Sequence, residues 1–184
     1  MLATGHAWKM RGEILEQMHV VLVGSMPLVI VTSVFVGAVT AVQAVYQMQA
    51  YVPMKFLGTV ISKSVFIELG PVLMALVVGS RLCAFYAAEL GTMKVTEQLD
   101  AMEMMAVDPI ARVIAPRFWG GVLSMPLLAA LFSAAGIVGG YLVGVGLMGL
   151  DGGSYMASLQ SAIDFHDDVL GSLTKAVIFG VLIG

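Results

Sequence analysis

A chain of 184 residues that is 59% hydrophobic and 11% charged, with a formal net charge of −3 and a mean hydropathy of +0.96, cannot cover a water-facing surface in the usual way. Soluble domains carry roughly 25% charged residues, so an ordinary soluble enzyme is excluded. So are intrinsic disorder, which needs low hydrophobicity, and a nucleic-acid partner, which needs a basic patch. The apolar residues come in long unbroken runs, not in alternating ten-residue segments, so the expected fold class is an all-α polytopic membrane protein and not a β-barrel.

Residues 1–19 mix Trp8, Met10, Ile14, Leu15 and Met18 with Lys9, Arg11, Glu13 and Glu16, which reads as an interfacial helix. The first span is expected over 20–45, free of charge, with Pro27 near its start as a bend or first-turn residue. Gln47, Gln49, Tyr51, Pro53 and Lys55 form a polar link, and its tyrosines suit a membrane–water boundary. The second span, 59–88, is apolar except for Lys63, Glu68 and Arg81. Gly70-Pro71 interrupts it, because Pro71 cannot donate to the carbonyl of Ile67.

A polar stretch from Glu89 to Arg117 precedes a third apolar segment, placed at 110–150 with its unbroken run from Phe118. That run is longer than one bilayer needs, so it is either one tilted helix or two pieces hinged at Pro126 or the glycines. Gly136, Gly140 and Gly144 recur every fourth residue, a face that lets another helix approach closely. The segment 154–166 is expected on the far side as a short amphipathic helix, with Asp164, Asp167 and Asp168 nearby. A fourth span starts at 168 and is still apolar at 184, which reads as a fragment whose remaining helices are missing. Lys9, Arg11, Lys94, Arg112 and Arg117 fall on one side of the spans, against Lys55 and Lys63 on the other, so the N-terminus and the 89–117 link are expected in the cytoplasm.

The link between the second and third spans predicts a Met-rich helix over 92–108. Val95, Leu99, Met102 and Ala106 form one helical stripe, with Glu97, Gln98, Asp100 and Glu103 mainly away from it. Thr92 is the expected cap and Asp108-Pro109 the stop. The polar face is acidic, whereas helices that bind anionic membrane carry Lys and Arg. Two readings stand: a surface docked by a protein partner, for which flexible Met side chains suit an adaptable groove, and a solvated connector.

Glu68 and Lys175 lie inside apolar segments, where a charge costs roughly 2.5–3.5 kcal/mol or more unless it faces protein or a wet cavity. They can pair, share a phosphate contact, or snorkel to the interface. Arg81 reads as a structural ion-pair residue with Glu89, and Asp167 and Asp168 as a solvated loop face. Cys83 reads as a small buried hydrophobe. His6, His19 and His166 are scattered, and no metal-ligand spacing occurs. No phosphate-binding loop, G-x-S-x-G elbow or H-E-x-x-H motif is present, so the chain is not expected to hydrolyse ATP alone and energy for any transport must come from elsewhere. The alternative class is an ion-coupled secondary transporter or channel, in which broken helices beside charges are common.

The run IELGPVLMALVVGSRLCAFYAAELGTMKVTEQLDAMEMMAVDPIARVIAPRFWGGVLSMPLL, from Ile67 to Leu128, resembles the MlaE (YrbE) permease family. Its ELGPV, AELGTMKVTEQLDAMEMMAVDP and PRFW blocks carry the resemblance, which extends weakly over nearly the whole chain. It implies a fold of an interfacial helix plus five spanning helices, about four of them covered here, with a coupling helix between the second and third. It implies the permease subunit of an ABC transporter in the bacterial inner membrane, moving phospholipids between inner and outer membranes and maintaining outer-membrane asymmetry. The implied partners are a second copy of the permease, cytoplasmic ATPase subunits that use the ATP, and a periplasmic MCE-domain lipid-binding protein. The subunit itself is expected to be non-catalytic and to hold no cofactor. Carried onto this chain, the lipid cavity is lined by Thr40, Gln47, Met48, Tyr51, Glu68 and Lys175. The coupling helix, about Met93 to Val107, presents Lys94, Glu97, Leu99, Asp100, Met102, Glu103 and Met105. Ile67 stands where related members carry a basic residue.

Overall fold

The computed structural model describes residues 11–48, 51, 53, 56–106, 108–162 and 168–183. Of the residues singled out above, His6, Trp8, Lys9, Met10, Gln49, Lys55, Val107, Asp164, His166 and Asp167 lie outside that set. Helix α1 is Arg11–Met48. Helix α2, Leu57–Lys63, passes through a π-helical stretch, Ser64–Leu69, into α3, Gly70–Val95. Helix α4 is Gln98–Met104. A second π-helical stretch, Ile110–Ile114, leads into α5, Ala115–Gly146. Helices α6, Gly152–Ala162, and α7, Leu170–Ile183, follow. Among the described residues every regular element is helical, and three continuous apolar stretches, Arg11–Met48, Gly58–Val95 and Ile110–Gly146, are long enough to cross a membrane. The chain is a multi-pass membrane protein.

One expected boundary moves, and one open alternative is decided. Residues 11–19 are the first turns of α1 and not a separate element, because no helix breaker separates Met18 from Val20. The third segment is one helix through Pro126, with no hinge there. Within a bundle, neighbouring helices tolerate the missing N–H, and Gly180 of α7 fits against Val122 and Met125 at that level.

Helices that pass one another in lipid gain little from apolar burial, since lipid tails are as apolar as leucine; close packing must hold them together. The α1–α5 contact does this with glycine. A Cβ at Gly37 would collide with the carbonyl of Gly136, and one at Gly139 with the carbonyl of Val34. Gly136, Gly140 and Gly144 are all buried. One apolar cluster, including Val29, Met74, Met125, Leu128 and Phe132, joins α1, α3, α5 and α7. A second, including Ala41, Val45, Ile61, Leu150 and Tyr155, joins α6 to the far ends of α1, α2 and α5. These clusters mark the two ends of the bundle: α6 caps one, and the α3–α5 link leaves the other.

Candidate functional site

The second span stays helical but widens into a π-helical stretch where Gly70-Pro71 requires it. Pro71 has no N–H to give the carbonyl of Ile67. The ladder responds by widening, so that the Gly70 N–H bonds to the carbonyl of Val65, five residues back. Only glycine fits at position 70, where a Cβ would come within 2.6 Å of Ser133 Oγ and 2.9 Å of the Val65 carbonyl. Lys175 takes up the freed acceptor. Its Nζ donates to the Ile67 carbonyl at 3.1 Å and to Glu68 Oε1 at 3.0 Å. The proline, the π-helical stretch and the ion pair are therefore one device joining α3 to α7.

That device is open. The side chains of Glu68 and Lys175 are 68% and 39% exposed. Nearer the capped end, Lys63 pairs with Asp168 at 3.6 Å, so the acid expected on a solvated face instead ties the start of the fourth segment to α2. The other four expected cavity residues make other contacts. Thr40 donates to the Val36 carbonyl at 2.7 Å, and Gln47 bonds Gln43 at 2.8 Å, both along α1. Met48 packs against the second apolar cluster, and Tyr51 is exposed beyond the helix end. Among the described residues no hydrogen bond or ion pair joins these four to Glu68 or Lys175.

At the other end Arg117 makes a tight clamp that the sequence reading missed. It meets Glu89 at 2.7 Å through Nη2 and at 3.2 Å through Nε, and donates to the Val113 carbonyl at 3.0 Å. Tyr86 donates to the Arg117 carbonyl at 3.3 Å, and Arg112 reaches Glu13 of α1 at 3.4 Å. Glu89 is thus taken, and Arg81 does not pair with it as expected. Eight residues, about 12 Å of helix, separate the two, so Arg81 reaches sideways to Ser25 Oγ of α1 at 2.7 Å. A cavity of about 330 Å³ beside the clamp is lined by Leu82, Cys83, Tyr86, Arg117, Phe118 and Met125 among others. Cys83 is exposed rather than buried, because its face of α3 borders that opening.

The α3–α5 link differs from the single helix over 92–108. Thr92 is not a cap; it sits inside α3, its hydroxyl bonded to the Ala88 carbonyl at 2.8 Å. Thr96 folds back on the Thr92 carbonyl in the same way, and such local bonds compete with helix continuation. The chain then turns through Glu97 at φ +56°, a left-handed conformation uncommon outside glycine. Val95 and Leu99 consequently lie on different helices, and their stripe does not form. Lys94 spans the bend to Asp100 at 2.6 Å. Leu99 and Met102 are half-buried, whereas Glu97, Asp100, Glu103 and Met105 are exposed. Met104 and Val95 are 90% and 85% exposed. A short acidic helix with bare methionines is therefore held out from the bundle.

The model of the family described as "Permease MlaE" matches residues 14–184. The chain is 44% identical over 170 residues to the intermembrane phospholipid transport system permease protein MlaE of Haemophilus influenzae, which covers 92% of this chain and 65% of that protein. A probable ABC transporter permease of Synechocystis is 37% identical over 94% of this chain and 65% of its own length. The chloroplastic protein TRIGALACTOSYLDIACYLGLYCEROL 1 of Arabidopsis thaliana is 30% identical over 86% and 45%. The chain thus spans less than two thirds of the length of these relatives.

Proposed function

The chain belongs to the MlaE permease family, and on that premise we propose that it is the membrane-spanning subunit of an ABC transporter that moves phospholipids between the inner and outer membranes of a bacterium, maintaining outer-membrane asymmetry. It acts in the inner membrane as a homodimer, with two cytoplasmic ATPases and a periplasmic MCE-domain lipid carrier. The ATPases supply the energy, and this subunit carries out no chemistry. Thr40, Gln47, Met48, Tyr51, Glu68 and Lys175 line the lipid cavity. Lys94, Glu97, Leu99, Asp100, Met102, Glu103 and Met105 dock the ATPase.

The observation that carries this reading is the Glu68–Lys175 pair. A buried structural pair would be wrapped by protein; this one stands open on a π-helical stretch inside an apolar span. An ammonium held there receives a phosphate, and the adjacent carboxylate receives the ammonium of a zwitterionic headgroup or releases Lys175 to the phosphate. The exposed acidic connector supports an ATPase contact, since helices that lie on anionic lipid carry basic polar faces.

The test is phospholipid transfer by the reconstituted complex after Glu68→Gln and Lys175→Met. Transfer should fall about 10–100-fold, the worth of one charge-assisted contact. Unchanged transfer by both folded variants overturns the lipid-site assignment. Transport by the permease alone, driven by an ion gradient and needing no nucleotide, overturns the ABC assignment.

A further inference from the structure

Arg81 is the only charge between Gly70 and Ala88, and it makes no ion pair among the described residues. Its one hydrogen bond goes to Ser25 Oγ, a neutral group on a residue that is 1% exposed. Gly24 makes that reach possible, since a Cβ there would come within 2.8 Å of Arg81 Nη2. The guanidinium therefore lies over the bare backbone of α1 with most of its five N–H donors uncommitted. A cation in an apolar span must find an anion, and among the described residues no carboxylate pairs with it.

The surroundings state what kind of anion fits. Val23 and Met26, next to Gly24 and Ser25 in α1, and Phe85, four residues along α3 from Arg81, are 53%, 45% and 43% exposed. A ligand that satisfies both the guanidinium and this apolar rim carries one anionic oxygen cluster on an apolar body. A planar guanidinium fork matches a phosphate bidentately. Along α3 the site lies about 12 Å from the level of Glu89 and, thirteen residues from Glu68, about 20 Å from that carboxylate.

We infer that Arg81, seated over Gly24 and held by Ser25, is a phosphate-binding station for a phospholipid on the α1–α3 face, between the cytoplasmic clamp and the Glu68–Lys175 pair. The inference rests on the lipid-transport reading and adds to it a second position for the headgroup. Arg81 binds the phosphate directly; Gly24 and Ser25 position it.

The experiment is native mass spectrometry of the intact transporter complex, released from nanodiscs of phosphatidylethanolamine and phosphatidylglycerol. Arg81→Gln should retain about tenfold less phospholipid at the Arg81-dependent position, and Arg81→Lys should restore part of it. Gly24→Ala keeps the charge but lifts the guanidinium off Ser25, and should lower retention severalfold; it serves as the reading if Arg81→Gln does not fold. Millimolar inorganic phosphate that leaves the lipid bound identifies the headgroup as the source, whereas phosphate that displaces the lipid identifies a site for the free anion; both outcomes keep the phosphate station. Equal lipid retention by Arg81→Gln and Gly24→Ala overturns it. So does a variant that loses self-association while keeping its lipid, because Arg81 would then face a protein carboxylate. Glu68→Gln, run in parallel, separates the two sites: loss with Arg81→Gln and none with Glu68→Gln would leave this station standing and remove the other.

Discussion

Among the ion pairs that tie the spans of this protein together, Arg117–Glu89 and Lys175–Glu68 are built differently. Arg117 is 11% exposed, grips Glu89 through two nitrogens and also holds the Val113 carbonyl. Lys175 meets Glu68 through one nitrogen, and both side chains stay open. The first pair closes its hydrogen bonds within the protein. Among the described residues, the second leaves an ammonium donor and carboxylate acceptor sites unused beside a π-helical stretch inside an apolar span, where free polar groups are costly. On the proposed reading, the contrast separates a fastener from a binding site by how completely each satisfies itself.

The comparison breaks first under neutral substitutions. Glu68→Gln should reduce phospholipid transfer about 10–100-fold with little change in thermal stability; a fall in melting temperature that accounts for the whole loss would make both pairs fasteners. Arg117→Gln should do the reverse. It strands a carboxylate and a carbonyl and should lower stability by about 1–3 kcal/mol, since solvent at Glu89 screens part of the cost. Unfolding in denaturant reads this, with transfer per folded molecule unchanged.

Smaller changes sharpen the contrast. Reversing the connector charges with Glu97→Lys and Asp100→Lys should weaken ATPase co-purification severalfold while both ion pairs persist; full recovery of the ATPase would leave the link a solvated connector. Pro71→Ala restores an N–H for the Ile67 carbonyl and frees Lys175 from half of its task, so transfer should change only a few-fold. The smallest effect belongs to Asp151. Its carboxylate caps α6 by accepting the Ser154 N–H at 2.7 Å, which lowers its pKa below the ordinary 3.8. Stability from this cap is complete above the ordinary carboxylate value and is lost as pH falls through the depressed one. Acid titration of α6 proteolysis should show that step, and Asp151→Asn should flatten it.

What the sequence revealed follows from its physics. The spans were legible because twenty apolar residues without charge have few other fates, and a disturbed hydrogen-bond ladder at Gly70-Pro71 because proline lacks a donor, although the helix widens there and does not break. Glu68 and Lys175 stood out as costly charges, and the structure brings them to 3.0 Å. The link was misread because periodicity carries no information about Thr92 and Thr96 bonding back to the preceding turn, or about a non-glycine residue at φ +56°. Partner choice among distant charges was also hidden: Glu89 sits eight residues from Arg81, yet Arg117 takes it from another helix. Only the available signal, a basic residue at the foot of the third span, pointed that way.

The most direct measurement asks whether a phospholipid headgroup rests beside Glu68 and Lys175. A phosphatidylglycerol with a photoreactive headgroup, reconstituted with the intact complex and cross-linked without nucleotide, should label the peptides around Glu68 and Lys175 in the wild type and lose that label in folded Lys175→Met. Labelling that spares both peptides, or that persists undiminished in Lys175→Met, would contradict the account.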